Sequence, residues 1–130
     1  MKRFFLLTLA SAALLGASAA PVKTYEVKSP DGRLALVLTA GERLSFTVAR
    51  DGETLVAPSE MALTLSTGEV LGESPRVRSA RRRAVTETID APLYRQSRFD
   101  AAYNELDLRL RGDYGILALA YDDGVCYRFY

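Results

Sequence analysis

Hydrophobic and polar residues alternate along most of this chain with a period of two, the pattern of strands buried on one face. Tyr25-Glu26-Val27-Lys28 opens the pattern. Ser29-Pro30-Asp31-Gly32 reads as a turn, because Pro presets φ and Gly takes a positive φ at little cost. Leu34, Leu36 and Leu38 share one face of a second strand, and Gly41-Glu42 turns the chain. Leu44, Phe46 and Val48 share a face of the third. Asp51-Gly52 is a strong hairpin signal. The strand Glu53 to Ala57 is expected to pair back and to end at Pro58. Met61, Leu63 and Leu65 mark a further strand, closed by Thr67-Gly68.

The polar stretch Val77 to Ile89 carries Arg81-Arg82-Arg83 and reads as a long strand with a solvated face or as an edge strand. Asp90-Ala91-Pro92 breaks it, and Leu93 to Asp100 reads as extended or looped. In the last third, Leu106, Leu108 and Leu110 alternate with Asp107, Arg109 and Arg111. Gly112-Asp113 turns into Tyr114 to Tyr121, and Asp122-Asp123-Gly124 turns into Val125 to Phe129. These three strands form an antiparallel meander. With nine or ten strands and no amphipathic helix, the expected class is all-β, an antiparallel β-sandwich.

The N-terminus departs from the alternation. Lys2 and Arg3 precede an apolar run from Phe4 to Leu15, and Ala17-Ser18-Ala19 is a small-x-small cleavage site. The run is too short to span about 30 Å of hydrocarbon. Residues 1–20 therefore read as a signal peptide cut after Ala19 or Ala20, with a buried N-terminal helix as the competing reading. The expected division is 1–20 signal peptide and 21–130 partial N-terminal β-sandwich domain, periplasmic or secreted.

Composition narrows the chemistry. The 130 residues contain no His and one Cys. That excludes a Ser-His-Asp triad, a Cys-His dyad, imidazole-bound zinc and an internal disulfide. The net charge is +1. Removing Lys2 and Arg3 from the 17 basic residues leaves 15 against 16 acidic ones, so the exported part is nearly neutral. Neither value supports nucleic-acid binding. A catalytic (β/α)₈ barrel of about 250 residues does not fit in this length.

Two stretches carry a resemblance. One is Val27-Lys28-Ser29-Pro30-Asp31-Gly32-Arg33-Leu34. The other runs from Tyr103-Asn104-Glu105-Leu106 through Tyr114–Ala120 to Tyr121-Asp122-Asp123-Gly124-Val125-Cys126-Tyr127-Arg128-Phe129. Together they resemble the N-terminal domain of glycoside hydrolase family 97, the bacterial α-glucosidase and α-galactosidase family. The resemblance implies a galactose-mutarotase-like β-supersandwich placed before a catalytic barrel. It also implies an enzyme that needs calcium and hydrolyses α-linked glucosides or galactosides in the periplasm. The family's catalytic carboxylates and most of its calcium ligands fall outside the stretch this chain resembles. No catalytic or metal residue is therefore carried over, no cofactor is expected in this chain itself, and substrate-binding residues stay unassigned. The family often has Arg where Leu119 stands, and a small residue where Cys126 stands.

Several residues invite a chemical reading beside a plainer one. Asp122-Asp123 are read as turn residues. Glu105 and Asp107 share a strand face at about 7 Å, compatible with inverting chemistry, but such pairs are commonplace on a wet face. Arg81-Arg82-Arg83 is read as a solvated or edge segment that blocks sheet association. Among the tyrosines Tyr103, Tyr121, Tyr127 and Tyr130, alternation assigns Tyr127 to the core. It points Tyr130 to the other face, exposed or covering a sheet whose partner is missing. Cys126 is expected to be a buried small hydrophobe. The sequence stops at Arg128-Phe129-Tyr130 within an alternating strand, so the expectation is a fragment or truncated product of a longer glycosidase, without activity of its own. The competing reading is a free-standing exported module that binds a sugar or a protein partner.

Overall fold

The structure, a computed structural model, describes residues 21–130 except positions 94 and 96. The signal segment assigned to residues 1–20 lies outside the described residues. Among the described residues ten strands follow one another, all antiparallel: β1 (Lys23–Lys28), β2 (Leu34–Ala40), β3 (Leu44–Arg50), β4 (Glu53–Glu60), β5 (Leu63–Thr64), β6 (Val70–Leu71), β7 (Val77–Asp90), β8 (Arg98–Leu110), β9 (Gly115–Ala120) and β10 (Val125–Phe129). They form two four-stranded meanders, ordered β1-β2-β3-β4 and β10-β9-β8-β7, and a small β5-β6 ribbon.

Turn chemistry sets the connections. The Gly32 N–H donates to the Ser29 carbonyl at 2.9 Å and closes the first turn. Asp51 and Gly52 both take positive φ, 52° and 85°, as a tight two-residue hairpin requires. The period of two then directs Leu36, Leu38, Leu44 and Val48 inward from the first sheet, and Leu106, Leu108, Leu110, Ile116, Ala118 and Ala120 inward from the second. These two faces make one core.

The sheets are offset by one strand. β1 lies against β8 and β9, and β2 lies against β9 and β10. β3 meets the second sheet at its rim, where Phe46 and Tyr127 bring their rings to 5.2 Å. β4 extends past that rim, and none of its eight residues is buried. At the opposite rim β7 extends past β1, again with no buried residue. There the Arg82 Nε donates to the Glu26 carbonyl at 2.9 Å, and the Asn104 amide donates to the Lys28 carbonyl at 2.8 Å.

Several expectations need correction. Pro58 does not end β4; the strand runs on to Glu60. β4 is a sheet edge and its pairing with β3 shifts register between Phe46 and Val48, so a residue without an N–H is tolerated there. Met61 is not in a strand. It is fully buried, and its N–H donates to the Leu44 carbonyl at 2.8 Å. Only Leu63 and Thr64 of that stretch are in a strand, and Leu65 begins the turn closed by the Gly68 N–H on its carbonyl at 2.9 Å. The stretch Leu93 to Asp100, by contrast, is looped at its start and extended from Arg98, where β8 begins and pairs with β7, as expected. Tyr127 is 38% exposed rather than core, because the opposing sheet thins out at that rim. Cys126 is exposed, because its neighbours Leu119 and Arg128 belong to the uncovered outer face of the second sheet.

Candidate functional site

The residues singled out in the sequence gather on the outer face of the second sheet and on the turns at its ends. Register explains this. Leu106, Leu108 and Leu110 face the core, so Glu105, Asp107 and Arg109 face outward. Arg83 pairs with Glu105, Leu119 lies across from Glu105 on its other side, and Cys126 lies across from Leu119. Tyr103 and Tyr121 meet in the neighbouring row, ring centroids 4.8 Å apart and tilted by 39°.

Glu105 is not on a wet face. Its side chain is only 10% exposed and takes two hydrogen bonds from Arg83, at 2.8 and 2.9 Å. Leu119 brings no cation to this carboxylate. The guanidinium comes from Arg83 on the other flank. That bidentate geometry is the strong form of a carboxylate contact. Arg83→Ala is expected to lower the melting temperature by a few degrees, because a nearly buried carboxylate loses its partner. Arg81→Ala, on the same edge, is expected to change it little. Adding Glu105→Gln to Arg83→Ala should recover part of the loss, which thermal melts of the three variants would reveal.

The remaining groups also have work within the fold. Tyr103 donates to a Glu87 carboxylate oxygen at 3.1 Å. Burial, then that bond, raises the Tyr103 phenol above its ordinary range. Burial likewise raises Tyr121, with the neighbouring Cys126 as the next cause. Tyr130 bends back over Gly115, where a Cβ would sit 2.5 Å from the tyrosine Cζ, and its hydroxyl bonds Asp107. Asp107 also lies 3.6 Å from Arg109. Tyr130 thus covers its own sheet.

Asp122 has a role that its turn position did not reveal. Its carboxylate accepts the Asp31 N–H at 2.9 Å, across 91 residues. The two stretches that carried the family resemblance are therefore clasped turn to turn. Asp31 itself accepts the Ser29 hydroxyl and the Arg33 N–H at 2.5 and 2.9 Å. The Ser29 bond, then the Arg33 bond, holds its carboxyl below the ordinary 3.8. A folded-state pKa lowered in this way contributes stability above the unfolded value and loses it as pH falls through the folded one. Stability should therefore fall as pH drops below 3.8, and Asp31→Asn should flatten that fall in acid melts.

As chemistry, these carboxylates are spoken for. Glu105 is held by Arg83, Asp107 by Tyr130, and Asp122 by a backbone N–H, so none is poised with a partner acid across a glycosidic bond. Calcium takes six to eight oxygens, and no group of three or more Asp, Glu or Cys stands together among the described residues. Nothing here is assigned to calcium.

Among the described residues the fold is an offset antiparallel β-sandwich without helix, its outer face engaged in ion pairs and hydrogen bonds beside an open rim. The family model for the glycosyl-hydrolase 97 N-terminal domain matches residues 27–130, and the chain belongs to that family. A retaining α-galactosidase of Bacteroides thetaiotaomicron is 37% identical over 107 residues, which are 82% of this chain and 16% of that enzyme. A glycoside hydrolase family 97 enzyme from Pseudoalteromonas sp. strain K8, solved in complex with acarbose, superposes with a TM-score of 0.72 at 16% identity. The match covers 81% of this chain and 17% of that one. A crystal structure of a β-arabinopyranosidase gives the same TM-score at 18% identity, over 81% of this chain and 18% of that one. These likenesses confirm the sandwich fold, and the chain spans about a sixth of the length of these relatives.

Proposed function

We propose that this chain is the non-catalytic N-terminal β-sandwich of an exported α-glycosidase, and that it supports and shapes a catalytic barrel carried elsewhere in the enzyme. The observation that carries this reading is the offset of the sheets. β10 has a strand on one side only. Tyr130 and Gly115 exchange two backbone hydrogen bonds, so by alternation Val125, Tyr127 and Phe129 point their N–H and C=O groups away from β9. Beside that edge β4 extends past the second sheet with no buried residue, and Tyr127 stays partly bare although Phe46 of β3 touches it. A strand added at β10 would pair those backbone groups and cover Tyr127 and Val56 together. The family membership points to the remainder of a glycosidase as its source.

In this reading the whole enzyme acts on α-linked galactosides or glucosides, needs calcium in its barrel, and works in the periplasm or outside the cell. The sandwich alone carries no hydrolysis. The purified 130-residue product, incubated with nitrophenyl α-galactoside and α-glucoside in the presence of calcium, should release no nitrophenol. Release that survives repurification and follows protein concentration would overturn the proposal.

A further inference from the structure

The outer face of the second sheet carries its charges at two heights. Cross-strand pairing sets the rows. Arg83, Glu105, Leu119 and Cys126 form one, and Arg81, Asp107, Leu117 and Arg128 form the next. The carboxylates lie low: Glu105 is 10% exposed and held by Arg83, and Asp107 is 20% exposed and held by Tyr130 and Arg109. The guanidiniums stand above them. Arg83 and Arg109 are 67% and 60% exposed. Arg81 and Arg128 are exposed too, and neither enters an ion pair among the described residues. What this face presents to solvent is therefore positive, although two carboxylates are set in it.

The rows also have a shape. Leu117 and Leu119 are half-buried on β9, about 7 Å apart by strand rise. Arg81 and Arg128 stand at the two ends of the Leu117 row, three strand spacings or about 14 Å apart. Asp107 and Leu117 between them are shorter than arginine, so the face is a trough with a partly apolar floor and basic walls. Tyr130, folded over Gly115, closes one end, and the Tyr103–Tyr121 ring pair stands at the other. A flat anionic surface would rest on the arginines without reaching the leucines, and a sheet layer is wider than the trough. A helix with its side chains is about 10–12 Å across and fits along β9. An apolar stripe on that helix would meet Leu117 and Leu119, and carboxylates beside the stripe would reach Arg81, Arg83 and Arg128.

We infer that this trough docks an acidic amphipathic helix carried by the catalytic module of the same enzyme. Cys126 and Arg128 belong to β10, so the trough borders the strand edge proposed above as that module's contact. A (β/α)₈ barrel has its helices on the outside. In naming its source the inference rests on the supporting role; the fit to an acidic helix rests on the trough alone.

Two readouts test it. The isotope-labelled 130-residue protein is titrated, by amide NMR, with an amphipathic peptide of about five helical turns that has a leucine stripe and glutamate flanks. The same peptide with lysine flanks and vesicles of phosphatidylglycerol are the comparisons. The glutamate peptide should give saturable shifts centred on Leu117, Leu119, Cys126 and Arg128, weakened by salt. Arg81→Glu with Arg128→Glu should weaken it at least about tenfold and leave the melting temperature little changed, because both side chains are unpaired. In the second readout residues 27–130 replace the matching segment of the retaining α-galactosidase relative, and maleimide labelling of Cys126 is followed on its own peptide by mass spectrometry. Cys126 is exposed in the free chain, so it should label many times more slowly in the exchanged enzyme, and the double charge reversal should restore the rate. The inference is overturned if the glutamate peptide gives no saturable shift up to about 1 mM. It is equally overturned if the lysine peptide or the vesicles shift the same amides at lower concentration, or if Cys126 labels as fast in the exchanged enzyme as in the free chain. Hydrolysis by the exchanged enzyme reports on the supporting role separately: an active enzyme with a freely labelled Cys126 keeps that role and loses this inference.

Discussion

Gly72→Ala is expected to prevent stable folding, or to cost about 3 kcal/mol or more where a folded state survives. Two independent effects combine. Gly72 has φ of 101°, a conformation that L side chains rarely adopt. A Cβ there would also lie 2.2 Å from the Met61 carbonyl oxygen and 3.3 Å from its carbon. Both obstructing atoms are backbone, so no rotamer change relieves the overlap. The backbone has little room to retreat. The Gly72 carbonyl accepts from Leu44, the Leu44 carbonyl accepts from Met61, and both Leu44 and Met61 are fully buried core residues. Gly68→Ala isolates the conformational part, since Gly68 has φ of 87° and nothing within 4 Å of its Cβ position. That variant should lose only about 1 kcal/mol. Urea unfolding of both separates the two contributions, and equal losses would show that the Met61 contact has been misread.

Leu108→Ala is the second large effect, about 2–5 kcal/mol. Leu108 is 0% exposed and sits mid-strand in β8, between Ala80 of β7 and Ile116 of β9. Both flanking strands hold it in place, so the surroundings collapse little when its side chain is cut back. A domain of this size has about 5–15 kcal/mol in total, so the variant should stand near its unfolding midpoint in mild denaturant. Leu55→Ala is the control. Leu55 is 57% exposed on β4, and its loss should fall within about 0.5 kcal/mol. A Leu108→Ala variant as stable as Leu55→Ala would contradict the core described here.

Much of this was legible in the sequence, and the boundary of legibility is physical. Alternation placed Leu36, Leu38, Leu106 and Leu108 in the core, since a half-buried strand must repeat every two residues. Turn chemistry placed the hairpins at Asp51-Gly52 and Gly112-Asp113, whose φ values are all positive. Alternation says which residues share a face but not whether anything covers that face. Tyr127 points to the inner side as expected, yet the opposing sheet ends there. Cys126 points to the outer side, and no layer lies over it. Pairing partners distant in sequence were equally hidden. Neither the Asp31–Asp122 clasp nor the Arg83 contact to Glu105 leaves a local signal, because each depends on how strands far apart in the chain align.

The motifs that carry the family resemblance meet in the folded domain. The Ser29–Gly32 turn and the Asp122–Gly124 turn hold each other through one hydrogen bond, from the Asp31 N–H to the Asp122 carboxylate. Their joint appearance therefore marks a sandwich closed in this particular way.

The central claim is that this sandwich supports a catalytic module. Its most direct test uses the retaining α-galactosidase relative. The segment of that enzyme matching residues 27–130 is deleted, or exchanged for residues 27–130 of this chain, and kcat/KM on an aryl α-galactoside is measured for the parent, the deletion and the exchange. The account predicts that the deletion loses activity and that the exchange restores most of it. A deletion as active as the parent, or a soluble, folded exchange that stays inactive, would contradict it.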